Sequence, residues 1–266
     1  HRDLHYPLRR QRQMCIRDRN INDQETYSWQ TALPGFGERE QEILRNSTAL
    51  VTRVGGLGGP VAQSLAAAGF GRIILAHKGN LRQDDLNRQI LMSRKWIGKS
   101  RVDCATSTLN NFNDDIEIVS HNANVNDENI DEIICGANIV FSCAPLFNER
   151  FTLNSVCITK NIPLVDCSMY SMEGRVIPII PGKTQCLKCI YPEDPANWKR
   201  KFPVLGAVSA LVAQVGVIEG IKILTNFMSP SIGNMISIDA SEPNIEKIKL
   251  ADKNINCETC NTLMPS

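Results

Sequence analysis

The strongest constraint on the fold is an alternation of short apolar segments with helical segments along most of the chain. Apolar runs such as Ile73-Ile74-Leu75 are typical of strands that are buried on both faces of a sheet. Strands that alternate with helices in this way form parallel sheets with helices on both sides. The sequence therefore predicts an α/β fold, a doubly wound, mostly parallel Rossmann-like sheet.

The alternation changes after Cys167, where a further strand is followed by a long, mostly apolar helix and a terminal pair of strands. The predicted strands are 49–54, 72–76, 116–121, 138–143, 162–166, 175–180, 235–239 and 245–250, and the predicted helices are 41–46, 61–68, 101–110, 127–134, 148–160 and 208–224.

The length of 266 residues is compatible with one α/β domain, because sheets of this class reach that size without splitting. We expect residues 21–266 to form a single nucleotide-binding domain. Residues 1–20 are expected to be a disordered basic leader, natural or non-native, since six arginines fall in the first nineteen positions. They lack the apolar stretch of a secretory signal. A basic arm for nucleic acid is the alternative.

Composition narrows the range of partners and compartments. The net charge of +1 gives no large field of one sign, so the chain is not expected to bind nucleic acid. No apolar run is expected to approach the ~18 residues of a membrane helix, so no membrane partner is expected. Ten cysteines are present, and we expect those outside the Cys-x-x-Cys pairs to be buried free thiols. Free thiols are typical of a reducing compartment, which predicts a cytoplasmic protein.

A glycine-rich loop, 54–60, joins the first predicted strand to the first long helix. Gly55, Gly56 and Gly58 would let the backbone approach a phosphate, and the helix that follows would present its positive dipole end. The first glycine of the dinucleotide fingerprint is replaced by Arg53. Two interpretations remain open, a nucleotide-binding loop and a tight turn that binds nothing.

The end of the second predicted strand bears on the choice of nucleotide. A dinucleotide site normally places a carboxylate there to hold a ribose hydroxyl. This chain has His77 and Gly79 instead. The pattern therefore argues against an NAD(P)-dependent oxidoreductase, which is kept as the least favoured alternative.

Four cysteines have the spacing of two zinc knuckles. The pairs are Cys186 with Cys189 and Cys257 with Cys260. Four thiolates complete a tetrahedron around zinc and leave no open position, so the predicted zinc would be structural and would fasten the C-terminal segment to the fold. The alternatives are two unrelated pairs and a redox-active pair.

Further motifs extend these patterns over most of the chain. They are Gly55-Gly56-Leu57-Gly58, Gly69-Phe70-Gly71-Arg72, Leu86-Asn87-Arg88-Gln89, Ile97-Gly98-Lys99, Val204-Leu205-Gly206 and Glu219-Gly220-Ile221-Lys222, together with the two cysteine pairs. In their order and spacing, residues from Tyr27 to Cys260 resemble the ThiF/MoeB/HesA family, bacterial relatives of ubiquitin-activating enzymes. The chain is most similar to the HesA-type branch.

The resemblance implies a homodimer that uses ATP and magnesium. It implies adenylation of the C-terminal carboxylate of a small ubiquitin-like or sulfur-carrier protein, in which the enzyme stabilises charge around the α-phosphate. By the same resemblance, Arg88 and Arg101 would be catalytic, and the nucleotide-binding residues would be Gly55, Gly56, Gly58, Asn87, Arg88, Gln89 and Arg101.

Several positions depart from the family pattern. Trp29 stands where the family has an arginine from the partner subunit, and Pro145 stands where it has the magnesium aspartate. Arg53, His77 and Gly79 replace a glycine and two aspartates, Arg101 replaces a lysine, and no cysteine lies near Lys199, where many members have one.

Two functional interpretations follow from this mixture. In the first, the chain is an active adenylyltransferase with a rewired site, in which Asp84 or Asp85 supplies a carboxylate and Arg53 reaches a phosphate. In the second, it is a catalytically degenerate member that acts as a binding or partner subunit, and Arg53 fills the nucleotide cleft.

Overall fold

The computed structural model describes residues 21–193, 202–242 and 244–261. The predicted leader and the region around Lys199 lie outside them. The helices are α1 (Ile21–Thr26), α2 (Ser28–Thr31), α3 (Glu38–Arg45), α4 (Gly58–Ala68), α5 (Arg101–Phe112), α6 (Ile130–Ile133), α7 (Phe147–Lys160), α8 (Leu187–Ile190) and α9 (Gly206–Thr225). The strands are β1 (Thr48–Thr52), β2 (Arg72–Ala76), β3 (Glu117–His121), β4 (Ile139–Ser142), β5 (Leu164–Tyr170), β6 (Glu173–Ile179), β7 (Asn234–Asp239) and β8 (Asn244–Lys249).

The eight strands form one sheet in the order β3-β2-β1-β4-β5-β6-β7-β8. The first five strands are parallel to their neighbours, with Leu50 opposite Ile74 and Val140. The last three strands extend the sheet from β5, and each pairs antiparallel with its neighbours. The predicted mostly parallel α/β sheet is confirmed, including the terminal strand pair.

Side chains of the central strands alternate between two hydrophobic cores, one on each face of the sheet. In β1, Ala49 and Val51 join the core shared with α3, α4, α5 and α9. Leu50 between them joins the core shared with α6 and α7. Burial on both faces explains why these strands are continuously apolar rather than alternating in polarity.

Helix 127–134 was predicted too long, since α6 covers only Ile130–Ile133. The segment ahead of it forms a turn, in which the side-chain oxygen of Asn126 accepts hydrogen bonds of 3.1 Å from the backbone N–H groups of Glu128 and Asn129. Asparagine favours such turns because its side chain competes with helical hydrogen bonds.

Helix α9 contradicts the expectation that no segment approaches membrane length. It is 20 residues long, and its most apolar stretch of 18 residues has a mean hydropathy of 1.7, which by length and composition alone is enough to cross a membrane. In the structure this helix lies against α4, β5 and β6. Packing against the sheet accounts for part of its apolar composition, while Leu211 and Ile218 are exposed. The expectation that no apolar segment reaches membrane length was wrong.

The expectation of buried free thiols is confirmed for Cys104, Cys143, Cys157 and Cys167. Burial raises the pKa of the Cys157 thiol. Cys135 is a free thiol at the surface instead, and Cys15 lies outside the described residues.

Candidate functional site

The sheet reverses its direction of winding between β1 and β4, because β1 is followed in space by β2 on one side and by β4 on the other. In open α/β sheets, ligands bind in the crevice that forms at such a point, beyond the carboxyl ends of the strands. The glycine-rich loop follows β1, and α7 follows β4 after a short connection. The predicted nucleotide loop therefore lies at this crevice.

Close approach of other groups explains two of the loop glycines. A Cβ on Gly58 would lie 2.6 Å from the carbonyl oxygen of Arg53, so a side chain there would collide with the backbone. A Cβ on Gly56 would lie 3.2 Å from Cγ of Arg88 and 3.3 Å from Oγ of Ser209. The loop is thus packed against the Arg88 side chain and the first turns of α9, and α4 begins at Gly58 with its dipole directed at the loop.

Asp85 is the centre of a buried hydrogen-bond network. Its carboxylate accepts bonds from Arg101 Nη2 at 2.5 Å, Gln89 Nε2 at 2.9 Å and the backbone N–H of Arg82 at 3.0 Å. Arg88 Nη2 lies 3.2 Å from Oδ1, the oxygen that also binds Gln89, whereas Arg101 and Arg82 bind Oδ2. Burial alone would raise the pKa of Asp85, but these donors and the charges of Arg101 and Arg88 outweigh burial and lower it. The carboxylate is therefore ionised at neutral pH.

Arg53 occupies an unusual backbone conformation at the end of β1. Its φ of 59° lies in the left-handed region that favours glycine, which is the residue the family resemblance places there. Its side chain is buried and binds Glu149 in the first turn of α7, with 2.7 Å from Nε to Oε2 and 2.6 Å from Nη2 to Oε2. The ion pair therefore joins the β1 side of the crevice to the β4 side.

A third buried ion pair lies next to this one. Arg150 donates to both oxygens of Asp166 in β5, at 3.0 Å from Nε and 2.5 Å from Nη2. Its guanidinium carbon also lies 4.3 Å from the ring centre of Phe147. The pair fixes the start of α7 against the sheet, and with it Glu149.

The structure brings most of the predicted nucleotide-binding residues together. Gly56 contacts Arg88, Gly55 lies close to Gln89, and Asn87 accepts a bond of 2.8 Å from Arg88 Nη1. Arg101 joins them through Asp85, and its Nη1 would lie 3.0 Å from a Cβ on Gly79. The buried Oε1 of Gln89 has no hydrogen-bond partner within the described part of the chain. An unsatisfied acceptor beside a glycine cradle fits a ligand such as a nucleotide.

The positions where the sequence departs from the family pattern have different environments. Trp29 is 92% exposed on α2, whereas His77 is buried at the end of β2. Pro145 lies in the connection between β4 and α7. The structure thus places Pro145 at the crevice and Trp29 on the surface.

Magnesium fits this site poorly. Divalent magnesium is normally held by one or two carboxylates together with substrate phosphates. The two buried carboxylates beside the loop, Asp85 and Glu149, are both held by arginines, and position 145 offers no ligand oxygen from its side chain. Asp84 lies at the surface, where it pairs with Arg82 at 3.2 Å.

The four cysteines form a compact cluster on the face of the sheet that carries α7. Their sulfur atoms all lie within 4.8 Å of one another, including 3.6 Å between Cys186 and Cys257 and 3.5 Å between Cys189 and Cys260. Four sulfurs at about 2.3 Å from one zinc ion stand about 3.8 Å apart. The observed spacing and the all-sulfur donor set fit a closed tetrahedral metal site, as the sequence predicted.

The pKa values of thiols in the cluster are shifted in opposite directions. Burial would raise the pKa of Cys257, but backbone N–H groups of Cys260 and Thr259 and neighbouring thiols lower it to about 7. Burial raises the pKa of Cys186 to about 11. The side-chain oxygen of Asn154 in α7 accepts a 2.8 Å bond from the N–H of Leu187, which ties the first knuckle to the fold.

Sequence reasoning missed Glu149, Arg150 and Asp166. One signal for Glu149 was available, since it is a carboxylate in the first helical turn after a central strand, at the edge where ligands bind. No sequence pattern connects it with Arg53, which is 96 positions away. Asp84 and Asp85 were both considered as carboxylates for the site, and Asp85 is the buried one.

Comparison with known proteins is consistent with this geometry. The model of the ThiF family matches residues 27–259. The heterocyst HesA protein of Trichormus variabilis is 43% identical over 241 residues, which cover 91% of this chain and 90% of that protein. The adenylyltransferase and sulfurtransferase MOCS3 of Drosophila sechellia is 32% identical over 90% of this chain and 54% of its own length. The crystal structure of E. coli MccB with ATP superposes with a TM-score of 0.75 at 25% identity, covering 84% of this chain and 69% of MccB.

Proposed function

Because this chain belongs to the ThiF family, we propose that it is an ATP-dependent adenylyltransferase that activates the C-terminal carboxylate of a small ubiquitin-like or sulfur-carrier protein. The name of MOCS3, an adenylyltransferase, and the complex of MccB with ATP support this chemistry. The observation that carries the proposal is the packing of Arg88 on Gly56 at the crevice, with Gln89 and Arg101 beside it.

The proposed roles follow from charge and position. The N-terminal end of α4 and the loop glycines would receive the phosphates of ATP. Arg88 and Arg101 would stabilise the negative charge that develops on the phosphates, and Asp85 would hold both guanidinium groups in place. The unsatisfied Oε1 of Gln89 would accept a hydrogen bond from the nucleotide.

The proposed reaction is an in-line displacement. A carboxylate oxygen of the carrier protein attacks the α-phosphorus of ATP and forms a new P–O bond. The bond between the α-phosphorus and the bridging oxygen breaks, and pyrophosphate leaves with the electron pair. The product is an acyl-adenylate, in which AMP is a good leaving group for a later nucleophile.

The test is exchange of labelled pyrophosphate into ATP, measured with purified small ubiquitin-like and sulfur-carrier proteins. Exchange that requires a carrier with its native C-terminal carboxylate supports the proposal. Arg88→Ala should abolish exchange and ATP binding, whereas Arg39→Ala, which removes an exposed arginine of α3, should leave both unchanged. Exchange that survives Arg88→Ala would disprove the site assignment.

Three further features belong to the proposal. The four-cysteine cluster would hold a structural zinc ion. The chain would form a homodimer, and the 92% exposure of Trp29, at the position that contacts the partner in the family resemblance, supports this. Light scattering of the purified protein tests the dimer directly.

We also propose that the protein works in the cytoplasm, where its buried free thiols would remain reduced.

A second candidate function is a catalytically degenerate subunit that binds a carrier or partner protein. The ion pairs of Arg53 with Glu149 and of Arg101 with Asp85 favour it, because they neutralise charges that would otherwise meet phosphates. Failure of the zinc-loaded protein to bind ATP, with carrier binding retained, would select this candidate.

A further inference from the structure

The crevice between β1 and β4 is spanned by the ion pair of Arg53 with Glu149. We propose that Arg53 takes the place of a divalent cation there, so that the phosphates of ATP are bound without magnesium. The proposal rests on ATP being a substrate, as proposed above, and concerns how the charge of its phosphates is balanced.

Both oxygens of Glu149 are already used. Arg53 Nε lies 3.1 Å from Oε1 and 2.7 Å from Oε2, and Nη2 lies 2.6 Å from Oε2. Arg53 is 7% exposed and Glu149 is 3% exposed, so the pair is shielded from solvent. A magnesium ion at this carboxylate would have to displace a buried guanidinium that holds it through two nitrogens.

The guanidinium keeps donors to spare. It carries five N–H groups, and the contacts with Glu149 use the one on Nε and one on Nη2. These contacts leave the two N–H groups of Nη1 and one of Nη2 for another acceptor. A planar fork of this kind matches two phosphate oxygens, which is the contact that a magnesium ion would otherwise provide.

The backbone of Arg53 fixes the charge at the crevice. Its φ of 59° is sparsely populated by non-glycine residues, and such conformations persist only where the surroundings hold them. The N–H of Arg53 donates to the carbonyl of Ala76 at 2.8 Å, and its side chain is held by Glu149. The arginine is therefore held immediately before the glycine-rich loop, despite the conformational cost.

The balance of charges around the glycine-rich loop also favours binding of phosphates. Arg53, Arg88 and Arg101 face two buried carboxylates, Asp85 and Glu149, so these groups carry a net positive charge. Fixed cations that are already oriented need no reorganisation when an anion binds. The protein itself thus supplies one net positive charge beside the loop, in part replacing the charge of a divalent cation.

The experiment is calorimetric titration of the full zinc-loaded chain with ATP, in buffer freed of divalent ions on a chelating resin and in the same buffer with magnesium. A chelator in solution is avoided because it would remove zinc from the cysteines. We expect the same dissociation constant in both buffers. Binding only with magnesium would overturn the proposal and leave the proposed function intact, whereas no binding in either buffer would overturn both.

Arg53→Gly is the diagnostic variant, because it frees both oxygens of Glu149 for a metal ion. We expect its ATP affinity to be at least about tenfold higher with magnesium than without. Glu149→Gln keeps the guanidinium and should bind ATP more weakly but still independently of magnesium. Arg39→Ala is the matched control and should behave as the wild type does.

Zinc content and thermal unfolding are measured for each variant to show that it is folded. If Arg53→Gly does not fold, the magnesium dependence of ATP binding by Glu149→Gln tests the role of Arg53. Magnesium-independent binding by a folded Arg53→Gly variant would remove the role assigned to Arg53. Magnesium-dependent binding by Glu149→Gln would do the same, since that variant keeps the arginine and lacks the carboxylate.

Discussion

Among the described residues, three pairs of buried arginine and carboxylate side chains lie near the carboxyl ends of the parallel strands. Arg53 binds Glu149, Arg101 binds Asp85, and a third arginine in α7 binds a carboxylate in β5. Burying an ion is costly, and the attraction within a pair compensates only when the geometry is good and further hydrogen bonds form. Substituting one member of a pair leaves the other as a buried charge without a counterion. The contribution of each pair can therefore be measured as a loss of stability.

Asp166→Asn tests the most buried of these pairs. Asparagine has the same shape as aspartate but no charge, so it leaves Arg150 buried without a counterion. We expect the free energy of unfolding in urea to fall by about 3–5 kcal/mol. Asp131→Asn, which removes an exposed partner of Lys160, should change it by less than about 1 kcal/mol. Equal effects of the two substitutions would contradict this account.

Asp85 should contribute to stability in a pH-dependent way. Its pKa is lowered in the folded protein from the ordinary value of 3.8. A depressed folded pKa stabilises the protein fully above the unfolded pKa, and this contribution is lost as pH falls through the folded pKa. The stability difference between the wild type and Asp85→Asn should therefore shrink below about pH 4.

Urea unfolding at a series of pH values measures this difference. Asp84→Asn is the control, because its side chain lies at the surface beside Asp85. A difference between wild type and Asp85→Asn that stays constant from neutral pH into the acid range would show that the Asp85 carboxylate gains nothing from its arginine partners.

Helix α9 depends on glycine for its contact with the sheet. A Cβ on Gly220 would collide with the ring of Phe141 in β4 and lie 3.3 Å from Cδ1 of Ile139. We expect Gly220→Ala to cost about 1–3 kcal/mol through this overpacking, only partly offset by about 1 kcal/mol of helix propensity.

Gly59→Ala is the matched control in helix α4. A Cβ there would meet Leu91 at 3.7 Å, which is ordinary contact, so the substitution should be neutral or stabilising. Thermal unfolding of both variants measures the effect. A stabilised Gly220→Ala variant would show that α9 can move away from the sheet at little cost.

The cysteine knuckles connect the last described segment to α7 and α8, so the metal should act on the stability of this whole unit. We expect about one zinc per chain by atomic absorption. Cys257→Ser should reduce both the zinc content and the unfolding temperature, while Cys135→Ser, at an exposed free thiol, should change neither. A wild-type protein that is equally stable after complete removal of zinc would contradict a structural role.

Across the whole molecule, burial is greatest at the centre of the sheet and least at the β8 edge. All five residues of β1 are buried, and all six of β8 are exposed. Hydrogen exchange followed by mass spectrometry should therefore be much faster for β8 amides than for β1 amides. Comparable protection of the two strands would indicate that another chain covers β8 in solution.

The sequence by itself determined the type and order of the strands and of the longer helices, whereas the short helices α1, α2 and α8 were not predicted. Each of the eight strands was predicted within a few residues. The buried parallel strands were recognisable as continuous apolar runs between glycine-rich and polar breaks. The cluster of four cysteines was also predictable, since metal coordination requires a fixed spacing of cysteines within each pair. Helix α6 was overpredicted because a local turn at Asn126 competes with the helix.

The tertiary structure decided which charged groups meet. The strand order places β1 beside β4, and only that neighbourhood brings Arg53 to Glu149, 96 positions away. In the same way the sequence proposed Asp84 and Asp85 equally, while folding buried one and left the other at the surface. The physical reason is that local patterns reflect backbone periodicity, whereas ion pairs depend on distances between residues that chain connectivity does not constrain.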